Sequence, residues 1–585
     1  MRLSAFGSRL TISGCSAKLA IPEIVVFARR RVHRRRDHPA PLGDRHKLST
    51  EPTSLFFPRD CRIVAIAIIL IAASLIFFRL DRRLLWIDEA ETALLARNIL
   101  VYGVPKAYDG KNLISQEVGR EYGPNYLWHW TPWLEKYVAA MSFGLLGEST
   151  FSARLPFAIV GLLSVISMYP LAMILFRDRW VAILSMAFLT LTVPFLLHVR
   201  QCRYYSLVIV ATIWAVYFFV GLAKETRGAV TGFAAAMAVL FHSNILAFFG
   251  TGIALLPCLF VLDFTRTALR RLVLAGAIVL VVNGPWAYFF LLGKSETPKQ
   301  SFSENLMFYL EVTNRYTLPF AAVLIFLGLR WYLGPKRLRI DAAAWRCFSG
   351  LIAFVALYLV IVSPAPWSFY RYTVGLLPIS SVLLAFMSWN ILKWNRSVGA
   401  AFTVSLLLTG LFHQLSASAF TPPKFTVQTH GGSFPICDRF LPIGNYLYEL
   451  AQPLDGPMES LVKYLSHNGQ RGDRVFITYG DLVLKFYTDH EVRGGQTGQS
   501  LQGWAEPEWI IVRAFFRFYD RPALRPDAEN MRSWLRSITA SDYIEIRPPW
   551  TDVPWDNIPE PQFHWFRPPE DGPKMKIYRR ETEKH

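Results

Sequence analysis

GAVTGFAAAMAVLFHSNILAFFGTGIALLPCLFVL, residues 228–262, runs for 35 residues without a charged side chain. A helix crosses the apolar part of a bilayer in about 20 residues, so this stretch is long enough for two crossings joined by a tight turn at His242-Ser243-Asn244. Working outward, uncharged runs recur at 63–78 (IVAIAIILIAASLIFF), 155–176, 180–197, 204–223 and 272–293, and further apolar candidates lie at 316–333, 347–363, 373–391 and 397–416. One soluble core has no use for eleven such runs in succession. The pattern predicts a polytopic α-helical membrane protein with about 11 transmembrane helices.

The net charge of +19 and the segment RRRVHRRR (29–36) would suit a nucleic-acid binder. Their distribution points elsewhere. With the N-terminus in the cytoplasm, the short inside loops carry Arg177 and Arg179, then Lys224 and Arg227, then Arg266, Arg270 and Arg271, then Lys336, Arg337 and Arg339, then Lys393 and Arg396. That alternation is the positive-inside pattern, so the basic arm reads as a topogenic, lipid-facing segment and no nucleic-acid partner is expected. An odd number of spans leaves everything after about residue 417 outside, in the periplasm or its equivalent. No cleavable signal peptide is evident, because the first long apolar run begins near residue 63. The six cysteines, at 15, 61, 202, 258, 347 and 437, form neither a disulfide framework in the tail nor a CxxC metal motif.

Three zones follow: a basic, poorly ordered arm (1–60), a membrane domain (61–417) with a long first outside loop (80–150), and a C-terminal soluble α/β domain (418–585). Within the loop, Asp88 to Leu100 and Pro132 to Leu146 have helical character, suited to lying along the membrane surface. In the tail, 458–467 and 481–488 read as helices, while RVFIT (474–478), WIIV (509–512) and 576–578 read as strands of a parallel or mixed sheet. The turn Tyr479-Gly480-Asp481 lacks GxGxxG, so no nucleotide or organic cofactor is expected.

Chemistry-bearing residues gather at the outside boundary. Trp86-Ile87-Asp88-Glu89-Ala90-Glu91 puts three carboxylates just past the first span, with Asp88 and Glu91 on one helical face. An acidic first turn capping a helix accounts for them equally well. His129-Trp130-Thr131-Pro132-Trp133 suits interface anchoring, and its histidine suits a metal or a phosphate. Arg200-Gln201-Cys202-Arg203-Tyr204-Tyr205 and Phe369-Tyr370-Arg371-Tyr372 place arginines outside, against the charge bias. Arginine is the bidentate partner of phosphate, and its cost beside a membrane implies a partner. Headgroup contact or an ion pair with the first-loop acids is the alternative.

This ordered set over residues 61–417 resembles the GT-C glycosyltransferases, in particular the protein O-mannosyltransferase and lipid A aminoarabinose transferase group (glycosyltransferase family 39-like). Many members carry Lys-Pro-Pro or His-Pro-Pro in the first loop, where this chain has His129-Trp130-Thr131-Pro132. The resemblance implies a polyprenyl-phosphate sugar donor attacked by a hydroxyl of an acceptor lipid, glycan or protein, with inversion at the anomeric carbon. Asp88 is then the general base. Glu89, Glu91, His129, Arg200, Arg203, Tyr205, Arg371 and Tyr372 would bind substrate, the arginines neutralising the departing phosphate. A divalent cation is left open. A transporter or lipid flippase is the main alternative and a non-catalytic scaffold the second. Transporters place ionisable residues at mid-membrane, whereas these runs are nearly free of acids.

Overall fold

The first apolar run folds as α1 (Arg59–Phe77). In the computed structural model the described residues are 59–291, 301–420, 426–429, 432–435, 442–452, 455–514, 525–538, 542–553, 558–564, 566 and 572–581. The basic arm up to residue 58 lies outside them, as does Cys437.

Inside a bilayer the backbone must satisfy its own hydrogen bonds, so apolar runs of this length fold as helices. Among the described residues, five helices are long and apolar enough to cross a membrane: Thr150–Phe176, Tyr205–Ala223, Arg266–Phe290, Ala342–Val362 and Leu376–Trp394. Two bent pairs raise the number to seven if each is one span: Arg179–Leu191 with Val193–Val199, at 66°, and Phe302–Tyr316 with Phe320–Arg337, at 75°. The uninterrupted spans expected at 180–197 and 316–333 are therefore broken. Pro194 and Pro319 stand at the two breaks, and proline disfavours helical conformation in the residue before it. The 228–262 stretch divides where expected. Asn244 is extended and accepts the Ala247 N–H at 2.9 Å, capping Ile245–Ala254 after Ala229–Ser243 has ended.

The long loop after α1 holds two further helices, α2 (Ile87–Tyr102) and α3 (Leu134–Leu146). α2 starts where the Glu89 carboxylate turns back to accept the Trp86 N–H, and stops at Gly103, whose φ of 75° suits a residue without Cβ. It does not lie along a surface with one wet face. Every residue from Ile87 to Ala96 is buried, because α3 and the tail helix Asp481–Tyr487 cover it from two sides.

Among the described residues, the tail contributes seven strands: β1 (Thr426–Thr429), β2 (Gly432–Pro435), β3 (Arg474–Ile477), β4 (Glu491–Gly494), β5 (Trp509–Val512), β6 (Tyr543–Ile546) and β7 (Lys576–Arg580). β1 and β2 form an antiparallel ladder of their own. The others form one mixed sheet in the order β4-β3-β5-β7-β6, parallel at β4-β3-β5 and antiparallel beyond. Helices Pro457–Asn468 and Asp481–Tyr487 flank β3, as their sequences predict. One face of this sheet packs on a cluster within the tail, built on Phe476, Leu501, Ile510 and Met531, and the other face shares its core with the first loop. Val475, Ile477, Leu482 and Ile577 belong to the same buried cluster as Leu94, Trp128 and Phe143 of the first loop. Sheet and loop are one layer above the span helices.

Candidate active site

Asp88 is the second residue of α2, and the cap reading does not describe it. The carboxylate that serves the helix start is Glu89. The Asp88 side chain turns instead toward two arginines from distant parts of the chain. One oxygen is paired with Nη1 of Arg371, and Nη2 of Arg203 stands 3.9 Å away. Asp88 is 6% exposed, Arg203 6% and Arg371 9%, so these charges meet out of water, where partners are required.

Arg203 is the hub. Its Nη1 donates to Thr92 Oγ1 at 2.8 Å, to Glu91 Oε1 at 3.1 Å and to the Asp88 carbonyl at 3.2 Å, with Glu135 Oε1 at 3.5 Å. Glu91 also accepts from Gln116 Nε2 at 2.8 Å. Arg371 sits in the short 3-10 turn Tyr370–Thr373. Its guanidinium lies 3.9 Å from the Phe369 ring centroid and 5.8 Å from that of Trp86, an arrangement favourable to a cation over aromatic faces. Three buried donors around this cluster have no hydrogen-bond partner among the described residues: Trp86 Nε1, Arg203 Nε and Tyr205 Oη. Each such group costs about 1–3 kcal/mol in a closed protein, which a hydrogen-bonding ligand would recover.

Two of the residues expected to bind substrate, Glu89 and Arg200, have structural partners. Glu89 is fully buried in a two-pronged pair with Arg154, at 2.8 and 2.6 Å, and also accepts the Cys202 N–H at 2.7 Å. Its oxygens hold α2, the Cys202 loop and the span Thr150–Phe176 together, so it is closed both to an acceptor and to a metal. Arg200 donates to the carbonyls of Leu75, Ile76, Phe78 and Arg79, closing the C-terminus of α1. His129 is held by its backbone, whose N–H donates to the Glu121 carbonyl at 2.9 Å. Its half-buried ring carries a buried Nδ1 that has no hydrogen-bond partner among the described residues. Tyr372 is half-buried beside Phe369, with ring centroids 5.9 Å apart. Among the described residues, no group of three His, Cys, Asp or Glu is placed to hold a metal ion.

Four charged residues complete the site without having been singled out in the sequence. Glu135 joins Lys136 Nζ at 2.8 Å and accepts the Tyr204 N–H at 2.7 Å, tying α3 to the arginine loop. Lys136 is fully buried and donates to Thr131 Oγ1 and the Pro132 carbonyl as well, and burial draws its ammonium below the usual lysine range. Glu560, from the tail, approaches Arg371 Nε at 3.5 Å, and burial pushes its carboxyl upward against the pull of that arginine. Glu121 accepts from Ser115 and from two backbone N–H groups, yet burial still pushes it up to about 8. Burial likewise raises Glu91, opposed by Arg203 and reinforced by Asp88. Lys136 and Glu135 had a legible signal, a charged pair opening an apolar helix just after Pro132-Trp133. Glu560 had none.

Residues 131–289 match the sequence family described as dolichyl-phosphate-mannose-protein mannosyltransferase. This is the group to which the sequence motifs pointed. No curated protein sequence matches the chain. Among solved structures, the chain is similar to ArnT from Cupriavidus metallidurans bound to undecaprenyl phosphate, at 14% identity over 88% of this chain and 97% of that one, with a TM-score of 0.47. It is also similar to the archaeal oligosaccharyltransferase AglB from Archaeoglobus fulgidus in complex with an inhibitory peptide and a dolichol-phosphate. There the identity is 10%, over 77% of this chain and 69% of that one, with a TM-score of 0.43.

Proposed function

We propose that this protein is a membrane glycosyltransferase that moves a hexosyl or pentosyl group from a polyprenyl-phosphate donor to an acceptor hydroxyl, on the outer face of the cytoplasmic membrane. The observation that carries the reading is the buried Asp88 carboxylate held between Arg371 and Arg203, ringed by partnerless donors. A lone ion pair would be closed; this one keeps hydrogen-bonding capacity unused. The four shorter apolar helices, Cys61–Phe77, Ala229–Ser243, Ile245–Val261 and Arg396–Leu408, complete eleven spans in this reading.

The donor phosphate takes the guanidinium groups of Arg203 and Arg371, which release the Asp88 oxygens toward the acceptor. The acceptor oxygen attacks the anomeric carbon while the bond from that carbon to the phosphate oxygen breaks. The lipid phosphate leaves with the electron pair, neutralised by the two arginines, and the hydroxyl proton passes to Asp88. Displacement from the opposite face inverts the anomeric configuration. Glu91 and Glu135 position Arg203, and Glu560 positions Arg371; none of the three needs to touch substrate.

The test is transfer of label from a polyprenyl-phosphate sugar in proteoliposomes, with the product identified by mass spectrometry. General-base catalysis is worth about 100- to 10,000-fold, so Asp88→Asn should lower single-turnover transfer by at least the smaller figure. Asparagine keeps the shape but cannot take the proton. Near-normal transfer by this variant, with chemistry rate-limiting, would remove Asp88 from the role of base.

A further inference from the structure

A second concentration of arginine lies behind the Asp88 cluster, on the far side of the Glu89–Arg154 pair. Arg79, Arg82, Arg83, Arg154, Arg200 and Gln201 line a cavity of about 50 Å³ at the exit of α1. One buried water needs roughly 10–15 Å³ on this kind of measure, so the space admits a group of several heavy atoms. Charge does not balance here. Arg83 pairs with Glu449 and Glu459, and Arg154 with Glu89. Arg79 and Arg200 donate to neutral carbonyls, those of Leu450 and Ala451 and those at the end of α1, with Arg200 also beside Tyr446 and within electrostatic reach of Glu449. Arg82 has no side-chain partner among the described residues. Among the described residues, five guanidinium groups therefore meet three carboxylates, of which Glu449 lies in the cavity wall. The surplus shows in Glu449: burial pushes its carboxyl up, but His564, Arg83 and Arg200 together hold it below the usual range. Gln201, 5% exposed and lining the same cavity, has a buried amide oxygen without a partner.

Such a surplus is expensive beside a membrane unless an anion offsets it, and guanidinium forks match the tetrahedral oxygens of phosphate. We propose that this cavity is a second anion site, separate from Asp88, that takes a phosphate group. Its place at the end of the first span suits the headgroup of a phosphate-bearing lipid, and free phosphate shares the chemistry. The site does not depend on the sugar-transfer reading.

Arg82 is the residue to change, because it holds nothing else in place. The full chain in detergent is titrated with inorganic phosphate in one arm and with short-chain phosphatidic acid in the other. Short-chain phosphatidylcholine is the control, and native mass spectrometry counts the bound molecules. One saturably bound phosphate group that persists in Arg371→Lys is expected, weakened about tenfold or more in Arg82→Ala and less in Arg82→Lys. Arg371→Lys should leave this binding unchanged, and unliganded melting should be the same in wild type and Arg82→Ala. Binding in the lipid arm alone assigns a headgroup, and binding in both arms assigns phosphate itself. Equal affinity in wild type and Arg82→Ala, or loss of the bound group in Arg371→Lys instead, overturns the proposal.

Discussion

Arg371 touches a carboxylate at each end of its guanidinium, Asp88 through Nη1 and Glu560 near Nε, and lies over the Phe369 ring. A lysine ammonium can meet one of these groups but not the planar set. If Arg371 holds the donor phosphate, Arg371→Lys should weaken donor binding about ten- to a hundredfold, read by competition with a labelled polyprenyl-phosphate sugar. Unchanged competition would return Arg371 to a purely structural pair. Glu121 supports a different prediction, on pH. Its carboxyl is raised from an ordinary 4.5 to about 8, so the folded state binds the proton more tightly than the unfolded chain. That contribution to stability is fully present below about 4.5 and lost as pH rises through about 8. Glu121→Gln cannot titrate, so melting curves in detergent should shift in the variant's favour between those limits and run parallel above them. A gap independent of pH would show that Glu121 stays ionised throughout. Much of the site was legible because a charge at a membrane boundary demands a reason: Asp88, Glu91, Arg203 and Arg371 do converge. The sequence could not tell which arginines join the Asp88 cluster. Arg200 and Arg203 are three residues apart, yet one closes a helix end and the other joins three carboxylates.

Helix contacts in the membrane layer hinge on a few glycines. A Cβ built on Gly399 would lie 2.4 Å from the backbone of Leu392, because Arg396–Leu408 turns back against Leu376–Trp394 at this point. Backbone cannot step aside as a side chain can. Gly399→Ala should therefore destabilise by about 1–3 kcal/mol, the usual range for overpacking. Gly276, within Arg266–Leu291, has nothing within 4 Å of the same built atom, and Gly276→Ala should be neutral or gain up to about 1 kcal/mol of helix propensity. Melting of the two variants side by side checks both statements; equal behaviour would mean that the close approach at Gly399 is absent. The apolar runs marked these helices well, since an uncharged stretch of that length has few alternatives. Breaks inside the runs were harder to see. Pro194 and Pro319 sit where a straight span was expected, and proline is common enough in membrane helices that its presence alone does not reveal a bend of 66° or 75°. In the tail, β3 (RVFI) and β5 (WIIV) announced themselves by apolar content, whereas β4 (EVRG) has a single large apolar side chain and β6 (YIEI) is too short to stand out.

The tail and the first outside loop must lie on the same side of the membrane, because they fold together. Lys485 Nζ donates to the Leu113 carbonyl at 2.7 Å, the Val492 N–H reaches Asn112 Oδ1 at 2.8 Å, and the Val118 N–H reaches the Gln496 carbonyl at 3.0 Å. The sequence divided these segments into a loop of the membrane domain and a separate α/β domain. Hydropathy alone could not show the apolar faces they share, since each is only half of one core. Which side they occupy is a separate question, answered by charge. Basic span ends such as the Arg266-Arg270-Arg271 start of the helix Arg266–Leu291 favour the cytoplasmic side, so loop and tail should be outside. Single cysteines at Asn125 and Ser466, both exposed, test the pair, and one at exposed Thr267 marks the opposite face. Cys61, Cys202, Cys258 and Cys347 are buried, and Cys15 and Cys437 would be replaced by serine. A membrane-impermeant maleimide should label positions 125 and 466 in intact spheroplasts and position 267 only after permeabilisation. The three labels fail in distinguishable ways. If 125 and 466 label together but only after permeabilisation, the fold stands and the orientation is reversed, which moves the Asp88 cluster to the cytoplasmic face and removes a periplasmic acceptor. If 125 and 466 separate, the hydrogen bonds between loop and tail cannot exist, and Glu560 cannot reach Arg371.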